Sequence, residues 1–295
     1  MKTPNSLGYS IALGLVGLAV VCAAPPPVEY TFTSIDPPAE LGGFASAYGI
    51  NNAGVLVGNF VTVNDELDGF VFNKGDFTDV AFPGVTTDDR GALSDVNDLG
   101  QAVGAFSDET GITHSFIRDK HGNFTMLPDV TGAVLTEAAS INNRGDIVGF
   151  YRDANFVPHG FILQNGVYTS YDYAGSTRTL LTRINDRGEI VGIRLDPDGH
   201  RRGFVLQNGA LTVTTIDVPG SANTRPSGIN NLGDVVGYYD DADLTPHGFL
   251  FKDGVYTTID FPGAFNTALL DINDRGAISG TYDDFSRGFV ATPAK

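Results

Sequence analysis

Apolar and polar positions along this chain fall into short blocks. Runs of five or six residues rich in Val, Ile, Phe, Tyr and Thr are bounded by Gly, Asn, Asp or Pro, as in "RPSGIN", "DVVGYY", "HGFLFK" and "VYTTID" between Arg225 and Asp260. Blocks of this length and boundary chemistry predict β-strands joined by tight turns. Some blocks carry adjacent apolar residues, such as Ile147-Val148 and Val235-Val236. Strict alternation marks a strand covered on one face, so these predict strands covered on both.

The blocks repeat. An Ile or Val followed by Asn, then Asn or Asp, then any residue and Gly, begins at 50, 96, 141, 184, 229 and 272, with spacings of 46, 45, 43, 45 and 43 residues. Each period holds four strand-like pieces. The first and second meet at the Asn-Asn-x-Gly or Asn-Asp-x-Gly turn, where Gly supplies a positive φ and Asn or Asp can bond back to the turn. The third and fourth meet at Asn-Gly, Lys-Gly or Asp-Gly hairpins, as in "LQNGVY" and "FKDGVY". Arg144-Gly145-Asp146 then reads as one copy of the first turn, not as an adhesion signal. Four strands per period and six periods predict a six-bladed β-propeller. The chain stops at the third strand of its last period, and "FTSID" (32–36) matches the "YTTID" (256–260) of a fourth strand. The N-terminal strand is therefore expected to complete the last blade, making 24–295 a single domain of ~45-residue repeats.

The pattern "INNxGxxVGxY…HGF…GVYTTIDxPG" resembles the bacterial extracellular HAF-type repeat, named for a His-Ala-Phe triplet. Here the triplet reads "HGF" at 159–161 and 247–249 and "HSF" at 114–116. The resemblance covers nearly all of the chain beyond residue 23. It implies secretion and a propeller-like fold, and brings no catalytic residues with it. Trp is absent, so no Trp-Asp blade signature exists.

The start of the chain adds an address. Lys2, an 11-residue apolar run "IALGLVGLAVV" (11–21) and "CAAPPP" have the layout of a secretory signal peptide, with cleavage expected after Ala23. The rival is a lipoprotein acylated at Cys22, but Ala19-Val20-Val21 ahead of it fit that poorly. The run is too short to span a bilayer, and no other run of membrane length follows. Cys22 is the only cysteine, so no disulfide is expected. A secreted or periplasmic monomer is the expectation.

Lys and Arg number 18 against 35 Asp and Glu, a formal charge of −17. Such a surface repels phosphate backbones, which argues against nucleic acid and favours cationic partners. Variable loops are expected at one end, between second and third strands and between fourth and first. The candidate binding residues there are Asp65, Glu66, Asp88, Asp108, Glu137, Arg178, Arg183, Thr224, Arg225, Asp240 and Asp243. The expected role is a binding or adhesion module for a glycan, a protein or a cation. Ca²⁺ is the one cofactor considered, since "LDPDGH" (195–200) faintly resembles a calcium loop but lacks its remaining acidic ligands. The alternative is an extracellular hydrolase or lyase at the axial channel mouth. No Gly-x-Ser-x-Gly, phosphate-binding or His-Glu-x-x-His motif supports it, and no catalytic or metal-ligating residue is assigned. The recurring His114, His159 and His247, with Asp108, Asp153, Asp196, Asp241 and Asp284, are expected to tie each blade's own loop.

Overall fold

The computed structural model describes residues 28–82, 91–108, 112–207 and 212–294. The apolar run, Cys22 and the cleavage point lie outside the described residues. The rest forms six four-stranded antiparallel sheets around one axis. From axis to rim, blade 1 comprises Gly42–Ile50, Leu56–Thr62, Leu67–Asn73 and Asp76–Val80, and blade 2 Ala92–Val96, Ala102–Ser107, Thr113–Arg118 and Phe124–Met126. Blade 3 comprises Leu135–Ile141, Ile147–Arg152, Pro158–Gln164 and Val167–Tyr171, and blade 4 Arg178–Ile184, Ile190–Leu195, Arg201–Gln207 and Thr212–Ile216. Blade 5 comprises Asn223–Ile229, Val235–Asp240, Pro246–Lys252 and Val255–Thr258. Blade 6 takes Thr267–Ile272, Ile278–Tyr282 and Arg287–Pro293 from the C-terminal end and Tyr30–Ile35 from the N-terminal end.

That last pairing closes the ring. Tyr30 lies opposite Pro293 and Ile35 opposite Gly288, and the Ala294 N–H donates to the Glu29 carbonyl at 2.7 Å. The six-bladed expectation and its closing strand are thus observed. The tight hairpins also follow the sequence. Lys74-Gly75, Asn165-Gly166 and Asp253-Gly254 all have positive φ, the two-residue geometry those pairs favour.

The core is a set of interblade layers. One Phe from each third strand, Phe70, Phe116, Phe161, Phe204, Phe249 and Phe289, is fully buried. Each ring lies against the Gly of the Val-Gly or Ser-Gly pair on the second strand. At Gly149 an added Cβ would fall 2.9 Å from the Phe161 ring and 2.0 Å from the Glu137 carbonyl. The third residue of the triplet is therefore the core anchor of each blade, and the glycine is the space it needs.

Every inner strand is bulged at the same place, between residues 47/49, 93/95, 138/140, 181/183, 226/228 and 269/271. A bulge leaves one residue unpaired and re-aims it. Here the unpaired residues are Tyr48, Ser94, Ala139, Thr182, Ser227 and Leu270, and all six line the axial channel.

Candidate functional site

The variable loops, as far as their residues are described, emerge at the end opposite the Asn-rich turns. Their bases are fixed by local caps. The Asp153 carboxylate accepts from the Asn155 and Val157 N–H groups, and Asp241 accepts from those of Asp243 and Thr245. Those backbone bonds hold both carboxyls below the usual range. In blade 1 Thr62 takes over the cap, accepting from Asn64 and Glu66. Asp65 and Glu66 sit in that loop, Asp108 caps the Ile112 N–H of blade 2, and Asp243 lies in the blade 5 loop. Asp88 lies outside the described residues. Arg178 is exposed at the start of the blade 4 inner strand. Thr224 is buried and accepts from the Val218 N–H, as Thr136, Thr179 and Thr267 do from the corresponding connections in blades 3, 4 and 6. Arg225 holds Asp240 through two bonds of 2.8 Å and lies 5.0 Å over the Tyr238 ring. Burial alone would push Asp240 up, but Arg225 and Asn223 bring it below the ordinary range.

The recurring histidines bridge two carboxylates within one blade. His114 lies between Asp108 and Asp129, His159 between Asp153 and Asp172, and His247 between Asp241 and Asp260. Arg202 replaces the imidazole between Asp196 and Asp217. The second carboxylate, at the end of the fourth strand, was not singled out in the sequence. Its signal was present: where Asp68 replaces His, blade 1 has Thr62 and Ala81 in place of both acids. Burial pulls the His247 imidazole down, but Asp260 and Asp241 together raise it above its ordinary value.

On the axis, residues from three alternate blades meet. Arg183 is buried and reaches Asp95 of blade 2 at 2.7 Å and Asp271 of blade 6 at 3.3 Å. Its guanidinium also donates to the carbonyls of Tyr48, Ser94, Ser227 and Leu270 at 3.0–3.5 Å. The intervening blades carry small residues at the same position, Gly49, Ser140 and Gly228. A Cβ at Gly49 would strike the Asp95 backbone at 2.8 Å, and one at Gly228 the Asp271 backbone at 2.7 Å. Ser140 instead donates to Asp95 at 2.6 Å. Burial, against the pull of Arg183 and with the push of Asp95, raises the Asp271 carboxyl to about 7. Two carboxylates thus share one guanidinium, and the cluster blocks the channel. Sequence reasoning singled out Arg183 but not Asp95 or Asp271.

Arg183 separates two spaces. Towards the Asn-rich turns lies a small one of about 70 Å³. Towards the variable loops lies a cavity of about 330 Å³, walled by Tyr48, Phe150, Leu180 and Leu270 and bordered by Glu137. Burial pushes the Glu137 carboxyl up, against a smaller downward pull from Arg152. No histidine lines either space among the described residues. No group of three or more His, Cys, Asp or Glu there is arranged to hold a metal ion.

The Asn-rich turns form two closed rings. In the first, each turn-opening Asn donates from Nδ2 to the carbonyl of its counterpart in the next blade, from Asn51 through Asn97, Asn142, Asn185, Asn230 and Asn273 back to Asn51, at 2.9–3.2 Å. The following residues alternate: Asn52, Asp98, Asn143, Asp186, Asn231, Asp274. Each backbone N–H donates to the Oδ1 of the next, at 2.7–2.8 Å. Each Asn Nδ2 also donates to the Oδ2 of the Asp on either side, at 2.8–3.1 Å. Arg144 and Asp146 of the Arg-Gly-Asp triplet are paired with each other at 2.7 Å within this layer.

No protein-family model matches the sequence, and no curated protein is significantly similar to it. Solved structures are similar in fold. A streptogramin B lyase is 12% identical over 90% of this chain and 98% of its own, with a TM-score of 0.54. TolB from Acinetobacter baumannii is 11% identical over 81% of this chain and 63% of its own, with a TM-score of 0.58. An Aleuria aurantia lectin in complex with Fucalpha1-6GlcNAc is 12% identical over 87% of this chain and 98% of its own, with a TM-score of 0.51. At these identities the likeness is one of β-propeller architecture. No helix among the described residues is long and apolar enough to cross a membrane.

Proposed function

We propose that this chain is a secreted propeller of the HAF-repeat type that acts as a binding module, engaging its partner through the variable-loop end. One observation carries the reading. At equivalent places in the second-to-third loops, Asp65, Phe156 and Leu244 have φ of 61–63°, where blade 4 has Gly199, and Phe285 in the shorter blade 6 loop has φ of 61°. A non-glycine residue in the left-handed region costs about 1–2 kcal/mol. Phe156 and Leu244 are 66% and 65% exposed, so their side chains recover little of that cost within the chain. Strained backbone that presents an apolar side chain to solvent is typical of a contact surface. Phe44 and Phe265 are exposed at the same end, and Arg287 lies 5.2 Å over the Phe44 ring.

The acids around these residues, Asp65, Glu66 and Asp243, favour a partner that combines an apolar face with positive charge over an anionic one. A glycan whose ring faces stack on the exposed aromatics fits the same surface, and a lectin is among the propellers of similar fold. The hydrolase or lyase alternative draws no support from the axial cavity, where a single carboxylate stands without a histidine among the described lining residues.

The test is a pair of glycine variants, Phe156→Gly and Leu244→Gly, probed on a glycan array and against immobilised basic and acidic extracellular proteins. Each variant relieves the left-handed strain, so the melting temperature should hold or rise while binding falls. Binding that survives both substitutions, or variants that lose stability, would show that these residues serve the fold.

A further inference from the structure

We propose that the axial cavity is a second, separate site that takes a small organic cation, a protonated or quaternary ammonium on an apolar body, with Glu137 as its counter-ion. Most of the polar side chains around the cavity are engaged elsewhere, Ser94 apart. Thr182 donates to the Pro226 and Val191 carbonyls, and Ser227 to those of Leu269 and Val236. The Tyr48 hydroxyl is engaged with Ser46 and Asn59. Arg183 at the floor has its charge matched by Asp95 and Asp271 and its donors occupied. Glu137 is the one charged group there without a matched partner among the described residues. Among the described residues no group hydrogen-bonds its carboxylate or pairs with it within ion-pair distance, and only the more distant field of Arg152 acts on it.

A lone carboxylate beside apolar walls is costly to maintain and is relieved by an ion of opposite sign. The walls name the rest of the ligand. Tyr48 and Phe150 are aromatic, and aromatic faces attract ammonium groups that are shielded from water. Leu180 and Leu270 offer apolar contact and no hydrogen bonds, which disfavours a polyhydroxylated sugar and favours a hydrocarbon body. At about 330 Å³ the space is at the lower end of pockets that hold small molecules.

Titration calorimetry with the chain from residue 24 to 295 tests the idea, using four probes of similar size: phenethylammonium, benzyltrimethylammonium, 3-phenylpropanol and 3-phenylpropionate. The ammonium probes should bind saturably at one site, and the neutral and anionic probes at least about tenfold more weakly, the scale expected for one charge-assisted contact. Glu137→Gln should reduce ammonium binding by about the same factor. Ala139→Phe, at a bulged position on the channel wall, should block it. Circular dichroism establishes that both variants fold. Equal affinity for the neutral probe, an unchanged Glu137→Gln, or no ammonium binding would each overturn the proposal. Phe156→Gly and Leu244→Gly should leave ammonium binding intact, so this site and the loop-face reading fail independently.

Discussion

Removing Arg183 should be the most damaging single change at the axis. Its guanidinium meets two carboxylates and four backbone carbonyls from blades 1, 2, 5 and 6, and is fully enclosed. In Arg183→Met the apolar stem is approximated, but Asp95 and Asp271 are left buried without a counter-charge. Breaking a buried pair in this way costs about 3–5 kcal/mol. For a domain of this size each kcal/mol moves the melting temperature by roughly 2–4 °C, so a drop of about 6–20 °C is expected at pH 8. Two controls tie the effect to charge. The deficit should shrink on acidification, because orphaned carboxylates in the folded state take up protons more readily than those of the unfolded chain. Asp271 already leans that way, with its carboxyl at about 7 against an ordinary 3.8, so its contribution is fully favourable below about pH 4 and is lost as pH rises to 7. The triple variant Arg183→Met, Asp95→Asn, Asp271→Asn leaves no buried charge and should recover much of the loss. Calorimetric melts of the three proteins from pH 5 to 8 decide the matter. A single variant within about 2 °C of the parent at pH 8, below the smallest expected shift, would refute the argument, as would a triple variant no more stable than the single.

Deleting residues 28–36 should leave the Arg287–Pro293 strand as an open edge, lower the melting temperature and promote aggregation, seen by light scattering during a thermal ramp. His247→Ala should destabilise the chain more at pH 6 than at pH 9: the folded imidazole has a raised pKa, so its contribution is present below the ordinary 6.5 and fades as pH climbs through the folded value. Asn143→Asp places three carboxylates in succession across blades 2 to 4 and removes the two donors that separate them, so stability should fall by about 1–3 kcal/mol, with the loss partly reversed below pH 4 in denaturant titrations.

Most of the architecture is legible in the sequence because each blade repeats the same local solutions: a Gly turn, a two-residue hairpin and a Phe at a fixed offset. Blade count, strand count and the closing strand follow from counting those features. The axis is harder to read. Asp95, Arg183 and Asp271 are far apart in sequence, and each looks like an isolated departure from Gly or Ser at its position. Only the radial geometry shows that this position is where six chains of side chains converge. The second carboxylate of each rim bridge was readable from Asp68 and Ala81 changing together, but only once the fourth strand was known to lie beside the third. Glu137 illustrates the converse. The sequence shows that it breaks the template, whereas its lack of a partner among the described residues is a property of the packed channel.

The ring of alternating Asn and Asp has a consequence for how such a chain can have grown. Two kinds of member can alternate around a circle only if their number is even. Gain or loss of one repeat would set two carboxylates, or two carboxamides, side by side at a single seam, where no donor matches acceptor. A change of two repeats would leave every neighbour correct. The axial position obeys the same rule, with charged residues in blades 2, 4 and 6 and Gly or Ser in blades 1, 3 and 5. The smallest unit that preserves both alternations is therefore the pair of blades, three of them in succession, with the Asn-bearing turns of successive pairs starting 91 and 88 residues apart. Relatives that keep this turn chemistry should have four, six or eight blades, and an odd-bladed one should have abandoned the alternation.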